Sequence, residues 1–122
     1  MKTKKFYCGL YFCNILFLYQ ANNSDVQKYL EKKYDVYLDC NRSHCGGVWS
    51  IGEQDDKIYC IWVGNNDPSI LAHEVFHLVM DIFSDRGIIT DDDHQEAFAY
   101  YLQYWVDMLR KEMSRKKRNK EA

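Results

Sequence analysis

Two periods of apolar residues alternate along the chain, one suited to strands and one to helices. Residues 5–19 are dense in Phe, Tyr, Ile and Leu, which predicts one or two buried strands. Val26, Tyr29 and Leu30 then fall at helical spacing. Ser24 with Gln27 three residues on forms a capping-box pattern, so residues 24–33 are expected to be a helix. Residues 35–40 set Val36 and Leu38 against Asp35, Tyr37 and Asp39, an alternation that predicts a strand. Residues 41–47 read as a loop. Residues 48–51 and 57–63 read as two strands of a hairpin, with the turn at residues 52–56 (Gly-Glu-Gln-Asp-Asp). Asp67 and Pro68 suit the cap and first turn of a helix over residues 68–84, and Gly87 suits its stop. A last helix over residues 93–113 follows from Ala97, Phe98, Tyr101, Leu102, Trp105 and Leu109. Strand, helix, strands, helix, helix is the order of a small α+β domain with a short mixed or antiparallel sheet.

Length and composition fit that plan. The chain has 122 residues, 47% hydrophobic and 16% aromatic, enough for one domain with a real core. The domain is expected over residues 1–113, with a basic tail at 114–122. The start imitates a signal peptide: basic residues, then an apolar run. That run carries Tyr7, Gly9, Tyr11, Asn14 and Tyr19, and bulky Tyr19 stands where a cleavage site wants a small residue. It is also too short and too polar to span a bilayer, so strands are the expectation and no membrane partner is. Five cysteines cannot all pair within one chain, and none forms a CxxC. Reduced thiols in a cytoplasmic setting are expected.

Charge is uneven. Net charge is −2, yet residues 50–100 hold eleven acids against two bases, and residues 108–122 hold seven bases against two acids. The acidic centre favours a cation. The basic end (Arg110, Lys111, Arg115, Lys116, Lys117, Arg118, Lys120) is a solvated helix end that offers at most a weak accessory contact to nucleic acid, since no recognition motif accompanies it.

The chemistry concentrates at His73-Glu74-Val75-Phe76-His77, an HExxH pattern inside the predicted helix. Residues four apart share a helix face, so both imidazoles can reach one metal ion. Glu74 projects beside that face, within reach of a water on the metal. An ion that acidifies the water and a carboxylate that takes its proton are what metal-assisted hydrolysis requires. The chance expectation of this pattern, for a chain with four histidines and six glutamates, is roughly 0.005 occurrences. Two histidines that bind nothing are the competing reading, but burying this trio without a partner is costly.

A catalytic zinc needs a third protein ligand. Asp81, Asp85, Asp91 to Asp93, His94 and Glu96 are the downstream candidates. Asp81 continues the histidine row but sits about 6 Å further along the helix axis, too far to share an ion comfortably. Glu96, in the first turn of the next helix, returns towards the histidines if the two helices pack antiparallel, and it is chosen over His94. A favourable acid at a helix start is the plain alternative for Glu96.

The segments Ile-Leu-Ala-His-Glu-Val-Phe-His at 70–77 and Gln-Glu-Ala-Phe-Ala-Tyr-Tyr at 95–101 resemble the zincin metallopeptidases with a glutamate third ligand, the gluzincins. The likeness is greatest to the small single-domain versions of phage and bacterial genomes, and its strong part covers residues 57–101. The resemblance implies a short sheet whose edge strand lies above the active-site helix. It also implies zinc held by His73, His77 and Glu96, with Glu74 as general base. Larger members carry an aspartate four residues after the third ligand; here that place is Tyr100, which leaves Asp81 or one of Asp91 to Asp93 to support a ligand histidine.

The expected function is therefore zinc-dependent hydrolysis of a peptide or protein substrate. The alternative is a catalytically weak or inactive zincin-fold module that keeps its metal and binds a partner protein. Residues 59–63 are expected to form the edge strand beside the metal, where an extended peptide can add. Tyr100 or Tyr101 are candidates to donate to an oxyanion, although packing in a helix interface is the commoner role. Cys40, His44 and Cys45 fit no standard zinc spacing. Trp49, Trp62 and Trp105 are read as core.

Overall fold

A computed structural model describes residues 1–37, 45–53 and 56–115. Along the chain run β1 (Lys2–Cys8), β2 (Cys13–Tyr19), α1 (Asn23–Tyr34), β3 (Gly46–Ile51), β4 (Ile58–Val63), α2 (Pro68–Asp85) and α3 (Gln95–Met113). A 3-10 turn, Asp92–His94, leads into α3. The strands form one mixed sheet in the order β1-β2-β4-β3. β1 is antiparallel to β2, β2 is parallel to β4, and β3 is antiparallel to β4. A small α+β domain results, as the order of periods predicts.

The two central strands are apolar at almost every position because both faces of the sheet are covered. Ile15, Phe17 and Tyr19 of β2, with Tyr59, Ile61 and Val63 of β4, pack against Leu71, Val75, Leu78, Val79, Ile82 and Phe83 of α2 and Tyr101, Trp105 and Leu109 of α3. The alternate residues Leu16, Leu18, Cys60 and Trp62 meet Val26 and Leu30 of α1 on the other face. Trp62 also donates its indole N–H to the Ala21 carbonyl at 2.8 Å, tying β4 to the entry of α1. Burial at this inner position pushes the Cys60 thiol up to about 12, so it is an inert core group.

Four details differ from the sequence reading. β1 is an exposed edge strand rather than a buried one. The capping box of α1 is built by Asn22 and Asp25, not Ser24 and Gln27: Asn22 Oδ1 accepts from Asp25 N at 2.8 Å, and Asp25 Oδ2 accepts from Asn22 N at 3.3 Å. Residues 35–37 are not strand; α1 runs to Tyr34, and Asp35 takes the left-handed conformation (φ 53°) that ends it. β3 starts at Gly46, two residues before the expected boundary. Residues 38–40 of the expected third strand lie outside the described residues. Among the described residues, no helix is long and apolar enough to cross a membrane.

Candidate metal centre

α2 begins where its sequence directs. Asp67 accepts from Ser69 N at 2.8 Å, and Pro68 occupies the first turn, where a missing N–H costs nothing. Gly87, at φ 71°, supplies the left-handed turn after the helix. Between these ends one stripe of α2 is buried against the sheet, while His73 and His77 emerge on the opposite side.

The two imidazoles converge. His73 Nε2 and His77 Nε2 lie 3.2 Å apart, with ring centroids 4.8 Å apart at 71°. Two nitrogens bound to one tetrahedral zinc at about 2.0–2.1 Å each stand about 3.3 Å from one another. The observed pair spans such an edge. A carboxylate oxygen of Glu74 joins them, and the three ligand atoms all lie within 4.8 Å of one another. Glu74 Oε1 is 3.7 Å from His73 Nε2.

Exposure divides the trio: both histidines are exposed, not buried as the sequence reading supposed, and only Glu74 is buried. The His73 side chain is 70% exposed and that of Glu74 only 8%. β3 roofs Glu74. A Cβ placed on Gly46 would stand 2.8 Å from the Trp62 carbonyl oxygen and 3.1 Å from both Glu74 Cγ and Ile70 Cγ2. Only glycine lets the strand come this near the helix. Gly46 therefore shapes the site although it carries no chemistry. The sequence reading missed it as part of a loop; the doubled glycine before an apolar alternation was its one signal.

The edge strand at the site is β3, not the segment 59–63. β4 is central, paired with β2 on one side and β3 on the other. Gly64 N donates to Cys45 O at 2.6 Å, which makes that pair a hydrogen-bonded one in the antiparallel ladder. Alternation then turns the main-chain groups of Gly47, Trp49 and Ile51 towards β4. Those of Gly46, Val48 and Ser50 face the open edge.

Glu96 lies in the first turn of α3, exposed and outside the 4.8 Å group of His73, Glu74 and His77. The helix start is nonetheless brought beside the histidine turn. Phe98 packs on Phe76 with centroids 5.6 Å apart, and the Phe76 ring lies 5.9 Å from that of His77. His94 Nδ1 is engaged by Asp91 Oδ1 at 2.5 Å, a contact whose hydrogen bond holds the Asp91 carboxyl below its usual range. Asp81 is raised above the ordinary carboxylate value by desolvation and by Asp85; His77 and Lys57 act in the opposite direction.

Asp85 closes the far end of α2 on the sheet. It accepts from Lys57 Nζ at 2.6 Å and Tyr59 Oη at 2.5 Å, and these bonds hold its carboxyl below the usual range. Tyr101 does not reach the site: its hydroxyl donates to Cys8 Sγ at 3.1 Å inside the core. Tyr100 is exposed and lines a cavity with Tyr7 and Tyr104. Trp62 and Trp105 are core, as expected, and Trp49 packs partly buried on the α1 side. Cys40, His44 and residues 116–122 of the basic tail lie outside the described residues. Of the remaining bases, Arg110 pairs with Asp107 at 3.6 Å and Arg115 with Glu112 at 3.7 Å.

Compared with known proteins, the chain matches no family model, no curated protein and no solved structure.

Proposed function

We propose that the chain is a zinc-dependent peptidase of the gluzincin type, with His73 and His77 as metal ligands and Glu74 as general base. The observation that carries this reading is the 3.2 Å approach of the two Nε2 atoms beside the buried Glu74 carboxylate. Two imidazoles and a carboxylate form a donor set that suits zinc. Glu96 is the proposed third ligand, supported by the contact of Phe98 with Phe76 beside the histidine turn. When bound, the ion would acidify a water and polarise a carbonyl.

The protein's own residues supply the rest. Glu74, shielded under Gly46, takes the proton from the attacking water and later passes it to the leaving amine nitrogen. The outward main-chain groups of Gly46, Val48 and Ser50 offer an extended peptide a strand to pair with, starting at the site itself. A cytoplasmic setting is proposed with this activity, in keeping with the free thiols.

Metal analysis of protein purified without a His-tag, combined with cleavage of an unbiased peptide library with and without a chelator, tests the reading. Zinc near one per chain and chelator-sensitive cleavage are expected. Glu74→Gln should keep the zinc and lose at least about a hundredfold in turnover. A Glu74→Gln protein that cleaves as fast as wild type would sink the mechanism. The high exposure of His73 also favours a second reading, a shallow metal-bearing module that binds a partner protein. Bound zinc with no cleavage of any library peptide is the outcome that selects it.

A further inference from the structure

Cys8 and Cys13 face each other as direct partners at the end of the β1–β2 hairpin. Directly opposed residues of an antiparallel pair have Cα atoms about 4.5 or 5.5 Å apart, according to the pair type. Both spacings lie inside the window of about 4.4–6.8 Å that a disulfide accepts. Both thiols also meet one hydroxyl: Tyr101 Oη lies 3.1 Å from Cys8 Sγ and 3.9 Å from Cys13 Sγ.

Burial alone would make such a pair inert, but one member has a way out. Cys8 lines a cavity of about 410 Å³ with Tyr7, Leu10, Tyr100, Tyr101 and Tyr104, whereas Cys13 does not. Tyr7, Leu10, Tyr100 and Tyr104 are exposed, so the cavity leads to solvent. The arrangement separates a thiol in the cavity wall from a second thiol behind it.

We propose that Cys8 and Cys13 are a reversible dithiol site, oxidised by a low-molecular-weight disulfide that enters through this cavity. The Cys8 thiolate attacks one sulfur of the oxidant. A Cys8–oxidant mixed disulfide forms, and the first small thiol leaves with the proton that Cys8 gave up. Cys13 then attacks the Cys8 sulfur, the Cys8–oxidant bond breaks, and the second small thiol leaves with the proton of Cys13. Two protein thiols become one disulfide and one small disulfide becomes two thiols. Burial, the dominant influence, and Cys8 beside it raise the Cys13 thiol to about 11, which fits the slower, resolving role. The Tyr101 hydroxyl donates to Cys8 Sγ, and such a donor bonds a charged acceptor more strongly than a neutral one. The site is independent of the metal-centre reading, since none of its residues belongs to the histidine group.

The test uses the full chain with Cys40 and Cys45 replaced by serine, equilibrated in graded mixtures of oxidised and reduced glutathione. Peptide mapping should find a Cys8–Cys13 crosslink that forms with first-order resolution and reverses with excess reduced glutathione. In the same background, Cys13→Ser should stop at a single glutathione adduct on Cys8, and Tyr101→Phe should slow adduct formation severalfold. Circular dichroism of each variant reports whether it folds, and crosslinking of the unsubstituted Cys8–Cys13 pair is decisive even if a variant does not. Absence of the crosslink in the folded protein, or its appearance only at denaturant concentrations that unfold the chain, overturns the proposal.

Discussion

Gly46 and Asp85 show how single residues hold α2 against the sheet. At Gly46 a methyl group would meet the Trp62 carbonyl and Glu74 Cγ, while at the neighbouring Gly47 the nearest atom is a Trp49 ring carbon at an ordinary 3.4 Å. Gly46→Ala is therefore expected to destabilise the fold by about 1–3 kcal/mol and to displace Glu74. Gly47→Ala should be close to neutral. Urea midpoints of the two variants compare them directly, and equal midpoints would remove Gly46 from the site. Asp85 binds its proton less tightly in the folded chain than its ordinary value of 3.8, because Lys57 and Tyr59 bond to the carboxylate. The stability it contributes is complete above that ordinary value and is lost as pH falls through the lower folded value. Asp85→Asn should lower Tm at neutral pH, and the gap to wild type should close as the pH drops below 3.8. Thermal melts from neutral pH down into acid give the answer; a gap that widens in acid would contradict it.

Elements were legible in the chain to the extent that their periods are local. α2 and α3 follow from apolar residues three and four apart, and the ends of α2 from Asp67, Pro68 and Gly87. Caps were harder to read. Asn22–Asp25 and Ser24–Gln27 are overlapping frames of the same motif, and only backbone geometry selects the first. Asn22→Ala should cost about 1 kcal/mol, whereas Ser24→Ala should cost much less; chemical denaturation distinguishes them. Segment 35–37 misled because its alternation continues a helix that has already used Asp35 as a left-handed stop. Between elements, Phe83 is the pivot: fully buried, it lies against Tyr11, Phe98 and Tyr101 at centroid distances of 5.4–5.7 Å. Phe83→Ala is expected to destabilise by about 3–5 kcal/mol. That is a large share of the roughly 5–15 kcal/mol that keeps a domain folded. A loss under about 1 kcal/mol in denaturant titration would mean that α3 is held elsewhere.

For the whole molecule, a metal that binds only the folded chain adds to its stability by mass action. At about one hundred times its dissociation constant, zinc should add about 2.7 kcal/mol. Wild-type Tm should rise on zinc titration and fall back with a chelator, while His73→Ala with His77→Ala should show no shift. An equal shift in that double variant would place the ion elsewhere. The sheet order belongs to this scale too. Strand periods and the turn at residues 52–56 foretold the β3–β4 hairpin, but not that β4 would enter beside β2 and leave β3 at the edge.

From its residues alone the chain determined its helices, most of its strands and the histidine pair, because each depends on spacing within one element. Tertiary structure alone decided which strand borders the histidines, that a glycine lets this strand press on Glu74, and that two thiols of one hairpin share a tyrosine on α3. Those outcomes rest on contacts between segments far apart in sequence, and a one-dimensional period carries no information about which covered face meets which.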